Sequence, residues 1–286
     1  MTTPTLNLIG AGRVGQTLAH LWHQRGTYII QDVLTTRLDS AQAACRAIGS
    51  GRAVDNIEAM RPADVWMIAV QDSQIESAVI SMQRIHSAIH LTTGKLPPVV
   101  FHCSGALSST LLTPLATVGF HTASAHCILS FASVQTAVQQ FPGTACALEG
   151  NTLACLHLHE AYTAIGAQCF EVKSENKVLY HAAAVFATNF LPILEFIAEN
   201  AWRDSGVPEH IIENLRSTLL KNSVSNITEM GPLKALTGPV ARGDLQAIQK
   251  QLEEINKWDS LSGEIYKSIS AKGLEIKTYS LNTKTQ

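Results

Sequence analysis

The sequence predicts an α/β fold in which a doubly wound domain, residues 1–173, precedes an all-helical domain, residues 174–286. Three observations support this prediction. Short apolar strands alternate with helices over the first ~170 residues, which is typical of a mostly parallel sheet. A glycine-rich segment, GAGRVG, joins the first strand to the first helix. After Lys173 the strand signals end, and helical patterns continue.

The predicted strands of the first domain are short apolar segments bounded by turn residues, and they lie at residues 5–10, 28–36, 64–70, 97–105, 144–150 and 167–172. The helices predicted in the same domain lie at residues 16–26, 38–49, 73–89, 108–119 and 151–166. The helices of the second domain are predicted at residues 175–204, 208–227, 244–257 and 258–272.

The composition excludes several classes of protein. The net charge is −2 and the Lys and Arg residues are scattered, so no surface is predicted for nucleic acid or for an anionic membrane. The apolar runs are interrupted short of the ~20 residues that a membrane span needs. The N-terminal residues lead directly into a strand, so we expect no signal peptide and no membrane partner.

The six cysteines form no CxxC pair, and most of them lie beside apolar residues, as buried free thiols do. His157 and His159 are two positions apart on a predicted helix and therefore point in different directions. We predict a reduced, cytoplasmic protein without a bound metal.

The GAGRVG segment has the context of a dinucleotide-binding loop, because it follows an apolar strand and opens a helix. Gly10 would allow the tight turn, Gly12 would let a pyrophosphate approach the backbone, and Gly15 would let the helix pack on the strand. Arg13 and Val14 complete the predicted loop. The phosphate would face the free N–H groups of the helix. The alternative is a glycine turn in an α/β protein that binds no nucleotide.

The end of the second strand should distinguish NADP from NAD. An acidic residue at this tip binds the ribose 2′-hydroxyl, whereas an arginine accommodates a 2′-phosphate. Asp32 has the right spacing from the glycines, but the strand continues past it. We therefore expect Thr36 and Arg37 to hold a 2′-phosphate, which favours NADP(H) and leaves NAD(H) possible. The alternative for Arg37 is a solvent-exposed loop charge.

Two further strand ends should lie beside the cofactor, because ligands of open α/β sheets bind outside the carboxyl ends of the strands. The residues placed there are Val70, Asp72, Ser104 and Gly105 as cofactor contacts and His102 as a substrate contact. For His102, a core histidine bonded to backbone is an equal alternative.

Six segments carry a resemblance to one bacterial family over nearly the whole chain. They are GAGRVG, ADVWMIAVQDSQI, VVFHCSGALSS, SAHCILSF, ENKVLYHAAAVFATNF and KALTGPVARGD. This family of NADP oxidoreductases joins a Rossmann-like domain to a helical domain of unknown function. It is similar in architecture to 6-phosphogluconate dehydrogenase, the β-hydroxyacid dehydrogenases, ketopantoate reductase and pyrroline-5-carboxylate reductase.

The resemblance implies roles for residues of the helical segment. Lys177 matches the lysine of the dehydrogenase relatives, which implies an acid/base role. His181 stands where those relatives have asparagine, and it would be the polar partner of Lys177 in catalysis. His126 is implied as a substrate contact, although the family has proline where this chain has Cys127. Asn189 lies about 18 Å along a straight helix from Lys177, so it would bind a ligand further along the cleft or a neighbouring element.

Arg242, in the LTGPVARGD segment, could bind a substrate carboxylate or phosphate, or it could pair with Asp244. The small residues after His181 and the resemblance together imply a homodimer formed through the helical domain. We expect an NADP-dependent oxidoreductase that transfers hydride between the cofactor and a small, polar, anionic substrate. Two alternatives stay open: a non-catalytic NADP(H)-binding regulator or scaffold, and an imine reductase of the pyrroline-5-carboxylate reductase type.

Overall fold

The computed structural model describes residues 2–86 and 97–282, and the chain divides into two units, Met1–Phe186 and Ala187–Gln286. The boundary predicted after residue 173 falls inside the first unit. The reason is that Lys177 is buried and bonds to residues of the loops and strands of the sheet.

One eight-stranded sheet organises the first unit, in the order β3-β2-β1-β4-β5-β6-β7-β8. The strands are β1 (Thr5–Ile9), β2 (Ile29–Leu34), β3 (Arg52–Val54), β4 (Val65–Ile68), β5 (Val99–His102), β6 (His121–Cys127), β7 (Ala145–Gly150) and β8 (Gln168–Glu171). Neighbouring strands are parallel except β6 and β7, which are antiparallel. The predicted fold class, a doubly wound and mostly parallel sheet followed by helices, is confirmed.

Helices connect the strands of the first unit. They are α1 (Arg13–Arg25), α2 (Leu38–Ile48), α3 (Asp72–His86), α4 (Thr113–Ala116), α5 (Val134–Gln140), α6 (Thr152–Ala164) and α7 (Lys177–Ala184). Two apolar clusters pack against the sheet: one is centred on Trp22, Phe101 and Tyr162, and the other contains Trp66 and Met82. The last three residues of the helix predicted at 73–89 lie outside the described residues.

Three local predictions differ from the structure. The sequence analysis did not predict β6, because HTASAHC lacks an apolar run and its buried Ser124 is polar. The helix predicted at 108–119 is a 3₁₀ turn, Ser109–Leu112, followed by the short α4. The helix predicted at 175–204 is interrupted by a π-helical turn at Val185–Asn189.

The second unit is helical, as predicted. Its helices are α8 (Leu191–Asp204), α9 (Glu209–Met230), α10 (Pro232–Ala235), α11 (Gly238–Arg242), α12 (Leu245–Trp258) and α13 (Ser260–Asn282). Apolar side chains on α8 and α9 are exposed, among them Phe196 at 66% and Ile193 at 51%. Within the described residues, Ser174–Asp204 is long and apolar enough to span a membrane by length and composition alone, and an 18-residue window of it has a mean hydropathy of 1.4.

Candidate active site

The three glycines of the loop after β1 have three different environments. Gly10 has a φ of +83°, and a Cβ there would lie 2.6 Å from Val70 Cγ1 and 2.7 Å from the backbone of Ala69. A Cβ on Gly15 would lie 2.8 Å from the Gly10 carbonyl oxygen. A Cβ on Gly12 would meet no atom of residues 2–86 and 97–282 within 4 Å. The loop is therefore tight at its first and third glycines and open at the second, which is the arrangement that a pyrophosphate requires.

The start of α1 offers hydrogen-bond donors to a ligand. Gly12 is the N-cap residue, no side chain caps the helix, and the first turn carries no acidic residue. The side chain of Arg13, which the sequence places in the loop, is bonded elsewhere, since its Nη1 donates to the Phe131 carbonyl at 3.2 Å. The first-turn N–H groups and the helix dipole together favour an anion at this position.

The tip of β2 carries Thr36 and Arg37, both exposed, directly after the strand ends at Leu34. Gly10 N–H donates to the Leu34 carbonyl at 2.8 Å, so this tip adjoins the glycine loop. The prediction that Asp32 lies inside the strand is confirmed.

Asp32 is fully buried, and its carboxylate accepts hydrogen bonds from Arg52 and Arg61. Burial alone would raise the pKa of Asp32, but the hydrogen bonds from Arg61 and Arg52 outweigh it and lower the pKa to about 2. These contacts leave Asp32 unavailable to a ribose hydroxyl.

The ends of β4 and β5 are joined by a side-chain hydrogen bond. Ser104 Oγ donates to Asp72 Oδ2 at 2.8 Å and accepts from Leu107 N–H at 3.0 Å. Val70 lies against Gly10, as described above. The structure therefore brings the predicted cofactor residues Val70, Asp72 and Ser104 to one edge of the sheet, next to the glycine loop.

His102 does not reach a substrate position. It is fully buried, its Nε2 donates to the Ser108 carbonyl at 3.2 Å, and its Nδ1 accepts from Ser104 N–H at 3.2 Å. Burial lowers its pKa to about 4, so the ring is neutral. The predicted substrate contact is replaced by the alternative, a core histidine bonded to backbone.

Gly105 lies between two histidines. A Cβ on Gly105 would be 2.5 Å from His181 Nδ1 and 2.8 Å from His126 Nε2. The two imidazole rings are 5.5 Å apart between centroids. His126 Nδ1 is 3.0 Å from the Tyr180 hydroxyl, whereas His181 Nδ1 is buried and has no hydrogen-bond partner among the residues that the structure describes. Burial, followed by the charges of His181 and Lys177, lowers the pKa of His126 to about 4.

Lys177, for which the resemblance implies an acid/base role, is buried. The residue is 2% exposed, and its Nζ donates to the Ser104 carbonyl at 3.1 Å and to Ser124 Oγ at 2.5 Å. It also lies 3.9 Å from Glu149 Oε2. The first two contacts are hydrogen bonds, whereas the 3.9 Å separation from Glu149 is an ion pair too long for a hydrogen bond. Lys177 is thus enclosed by Ser104, Ser124 and Glu149, and its acid/base role stays a prediction.

Glu149 is a buried residue of this site that was not among the predicted site residues. It is 6% exposed and accepts hydrogen bonds from Ser109, Ser124 and Ser174, among others. Burial would raise the pKa of Glu149, but the hydrogen bonds, led by that of Ser174, lower it to about 2. The available signal was a single acidic residue within an otherwise apolar predicted strand, ACALEG.

Two predicted substrate residues lie in the second unit. Asn189 is exposed, and its Oδ1 accepts from Thr188 Oγ1 at 2.7 Å. Arg242 ends α11 with an exposed side chain, and its carbonyl accepts from Lys277 Nζ at 2.7 Å. The Asp244 carboxylate caps α12 by accepting a hydrogen bond from Ala247 N–H. The ligand contacts predicted for Asn189 and Arg242 stay predictions.

A cavity of about 600 Å³ opens beside β7, β8 and α6. Its lining includes Glu149, Ser174, Cys155, His159 and Glu171. Neither His126 nor His181 lines this cavity, so it is separate from the histidine pair. In the described part of the chain, no group of three or more His, Cys, Asp or Glu side chains could hold a metal ion.

Two family models match separate parts of the chain. Residues 5–90, which contain the glycine loop, match the family described as NADP oxidoreductase coenzyme F420-dependent. Residues 144–272, which contain Glu149, Lys177 and His181, match a domain of unknown function, DUF2520. No curated protein matches the sequence.

Solved structures resemble the chain over its whole length. Protein TM1727 from Thermotoga maritima is 26% identical, with a TM-score of 0.74 over 96% of this chain and 99% of that chain. A putative NADP oxidoreductase from Bacteroides fragilis is 19% identical, with a TM-score of 0.73 over 95% and 98%. Pyrroline carboxylate reductase from Plasmodium falciparum with NADP bound is 13% identical, with a TM-score of 0.56 over 97% and 99%.

Proposed function

We propose that this chain, whose residues 5–90 and 144–272 match the F420-dependent NADP oxidoreductase and DUF2520 family models, is an NADP(H)-dependent oxidoreductase acting on a small polar substrate. The observation that carries this proposal is the open space at Gly12 between two glycines that tolerate no side chain. A glycine turn that only served folding would need the tight positions and would not need the open one.

Different parts of the site would bind different parts of the cofactor. The free N–H groups at the start of α1 would hold the pyrophosphate, and Val70, Asp72 and Ser104 would flank the nicotinamide riboside. When bound, the cofactor supplies or accepts the hydride. The protein must then supply or remove a proton at the substrate heteroatom.

His181 is the residue that we propose for this proton transfer. Imidazole is the group that most often carries out proton transfer in enzymes. Among the described residues, the Nδ1 of His181 has no hydrogen-bond partner, and it lies close to Gly105, whereas Lys177 is 2% exposed and already donates to Ser104 and Ser124.

The preference for NADP(H) is a separate proposal that rests on Thr36 and Arg37. Both are exposed at the tip of β2, and the acidic residue of that strand is occupied by Arg52 and Arg61. Arg37→Ala should weaken NADPH binding by about tenfold or more, since charge-assisted hydrogen bonds contribute about 1.5–3 kcal/mol. The affinity for NADH should not change. Equal effects on both cofactors in a fluorescence titration would contradict the proposal.

Turnover is tested with NADPH and a panel of carbonyl and cyclic imine compounds, followed by the loss of NADPH absorbance. The imines are included because of the similarity to a pyrroline carboxylate reductase. His181→Gln should lower the rate by about 10²–10⁴-fold, as expected for the loss of a general acid. If NADPH binds tightly and neither class of compound is reduced, the alternative of a regulator or scaffold replaces the enzyme.

We also propose a homodimer formed through the second unit. Exposed apolar side chains on α8 and α9 border a groove of about 410 Å³ lined by Leu191, Phe196 and Leu220, among others. Burial of such a surface in a second copy is favourable. Light scattering without detergent should give twice the chain mass of 30.9 kDa, and Phe196→Glu should give the single mass. A monomer that binds lipid vesicles would instead assign this surface to a membrane.

The proposed compartment is the cytoplasm. All six cysteines are free, and Cys127 and Cys146 are buried. Free thiols persist in reducing compartments. Cell fractionation would test this assignment.

A further inference from the structure

Three polar residues form one row across the neighbouring strands β5, β6 and β7. His102 on β5 pairs with Ser124 on β6, and Ser124 pairs with Glu149 on β7. Directly paired residues of neighbouring strands project to the same face. All three are buried, at 0%, 0% and 6% exposure. A buried carboxylate is costly unless it is paired and fully hydrogen-bonded, so this row requires partners.

Glu149 obtains these partners from segments that are far apart in the chain. Its Oε1 accepts from Ser108 Oγ at 3.1 Å, Ser109 Oγ at 2.7 Å and Ser174 Oγ at 2.6 Å. Its Oε2 accepts from Ser109 N–H at 2.8 Å and Ser124 Oγ at 2.9 Å. Five donors exceed the roughly four lone-pair positions of a carboxylate, so the group is saturated.

Lys177 completes the network from the other side. It donates to the Ser104 carbonyl and to Ser124 Oγ, and Ser124 Oγ in turn donates to Glu149. Lys177 and Glu149, which we call the buried pair, therefore hold the segment Ser104–Ser109 at both ends. The ammonium group binds Ser104, and the carboxylate binds Ser108 and Ser109.

Gly105 lies inside this held segment, against the rings of His126 and His181. We propose that Glu149 and Lys177 are positioning residues, which fix the Gly105 backbone and thereby the two histidines of the site. This positioning role rests on the proposed function, whereas the effect of the two residues on the histidines can be measured without cofactor. The proposal gives Lys177 a role that needs no contact with a substrate.

The test uses NMR of the imidazole groups in the full-length protein without cofactor. The signals of His126 and His181 are assigned with His126→Gln and His181→Gln, and then compared in Glu149→Gln and Lys177→Met. Both variants should shift both signals. Lys177→Met should also raise the pKa of His126, because the charge of Lys177 helps to lower it.

Asp32→Asn is the matched control. It also removes a buried carboxylate that two cationic groups bind, but on β2. It should lower the thermal stability without moving the His126 and His181 signals. If the buried pair had a merely structural role, Glu149→Gln, Lys177→Met and Asp32→Asn would have the same effect on the thermal stability and on the two histidine signals. Equal shifts in the control, or unchanged signals in folded Lys177→Met and Glu149→Gln, would overturn the proposal.

If Glu149→Gln and Lys177→Met do not fold, the same NMR comparison is made with Ser174→Ala. Ser174 is exposed and gives Glu149 one of its five hydrogen bonds, so its removal should leave the protein folded. We expect smaller shifts of the same two signals. Unchanged signals in this variant would overturn the proposal. Failure of the wild type to bind NADPH, measured separately, would instead remove the proposed function.

Discussion

Gly105 is the residue through which the segment after β5 meets both histidines of the site. Gly105→Ala would place a Cβ 2.5 Å from His181 Nδ1 and 2.8 Å from His126. Both rings would have to move, and overpacking of this kind costs about 1–3 kcal/mol. Urea unfolding should report this loss of stability, together with lower activity in the NADPH assay. Stability and activity equal to those of the wild type would show that the rings adapt freely.

Lys177 and His181 show what residue-level patterns can and cannot predict. Their spacing of four indicates one helix face, and both lie on α7. Which of the two is buried depends on Ser124 and Glu149, which are 53 and 28 residues away in the sequence. The ion pair with Glu149 could not be predicted, because β6 was not recognised and its register against β7 was unknown.

The β1–α1 connection is the element that the sequence predicted most completely. The sequence predicts a tight turn at Gly10, close approach of a ligand at Gly12 and helix packing at Gly15. In the structure Gly10 has a positive φ, Gly12 borders open space and Gly15 is closely packed. Such local geometry is set by a few adjacent residues. The antiparallel β6–β7 pair, in contrast, depends on contacts across the sheet, and HTASAHC has a polar composition that local propensity does not favour for a strand.

Gly15→Ala tests whether this element needs close packing. The new Cβ would lie 2.8 Å from the Gly10 carbonyl oxygen and 3.2 Å from both Ala69 Cβ and Leu8 Cδ1. We expect a lower unfolding temperature, because backbone atoms cannot give way cheaply. Gly12→Ser is the control, since its side chain enters open space and serine is a good N-cap. Equal unfolding temperatures for the two variants would contradict the packing argument.

At the scale of the whole molecule, two buried carboxylates should govern stability in acid. The pKa values of Asp32 and Glu149 are both lowered to about 2, below those of the unfolded chain near 4. Their contribution is therefore complete above about pH 5 and is lost as the pH falls towards 2. It is on the order of 2 kcal/mol for each group.

The free energy of unfolding in urea, measured between about pH 7 and about pH 3, should show this decline. Asp32→Asn should be less stable at neutral pH and should lose less stability on acidification. A wild-type protein whose stability is constant over this range would show that neither carboxylate has a lowered pKa in the folded state.

The measurement that tests the central claim most directly is a titration of the protein with NADPH and NADH, followed by tryptophan fluorescence, in the wild type and in Gly12→Asp. Aspartate suits an N-cap and the helix dipole, so the variant should fold and unfold like the wild type. Its carboxylate would occupy the open space of the glycine loop and repel a pyrophosphate. We predict that the wild type binds NADPH and that Gly12→Asp, at unchanged stability, does not. A wild type that binds neither cofactor, or a variant that binds as tightly as the wild type, would contradict the account.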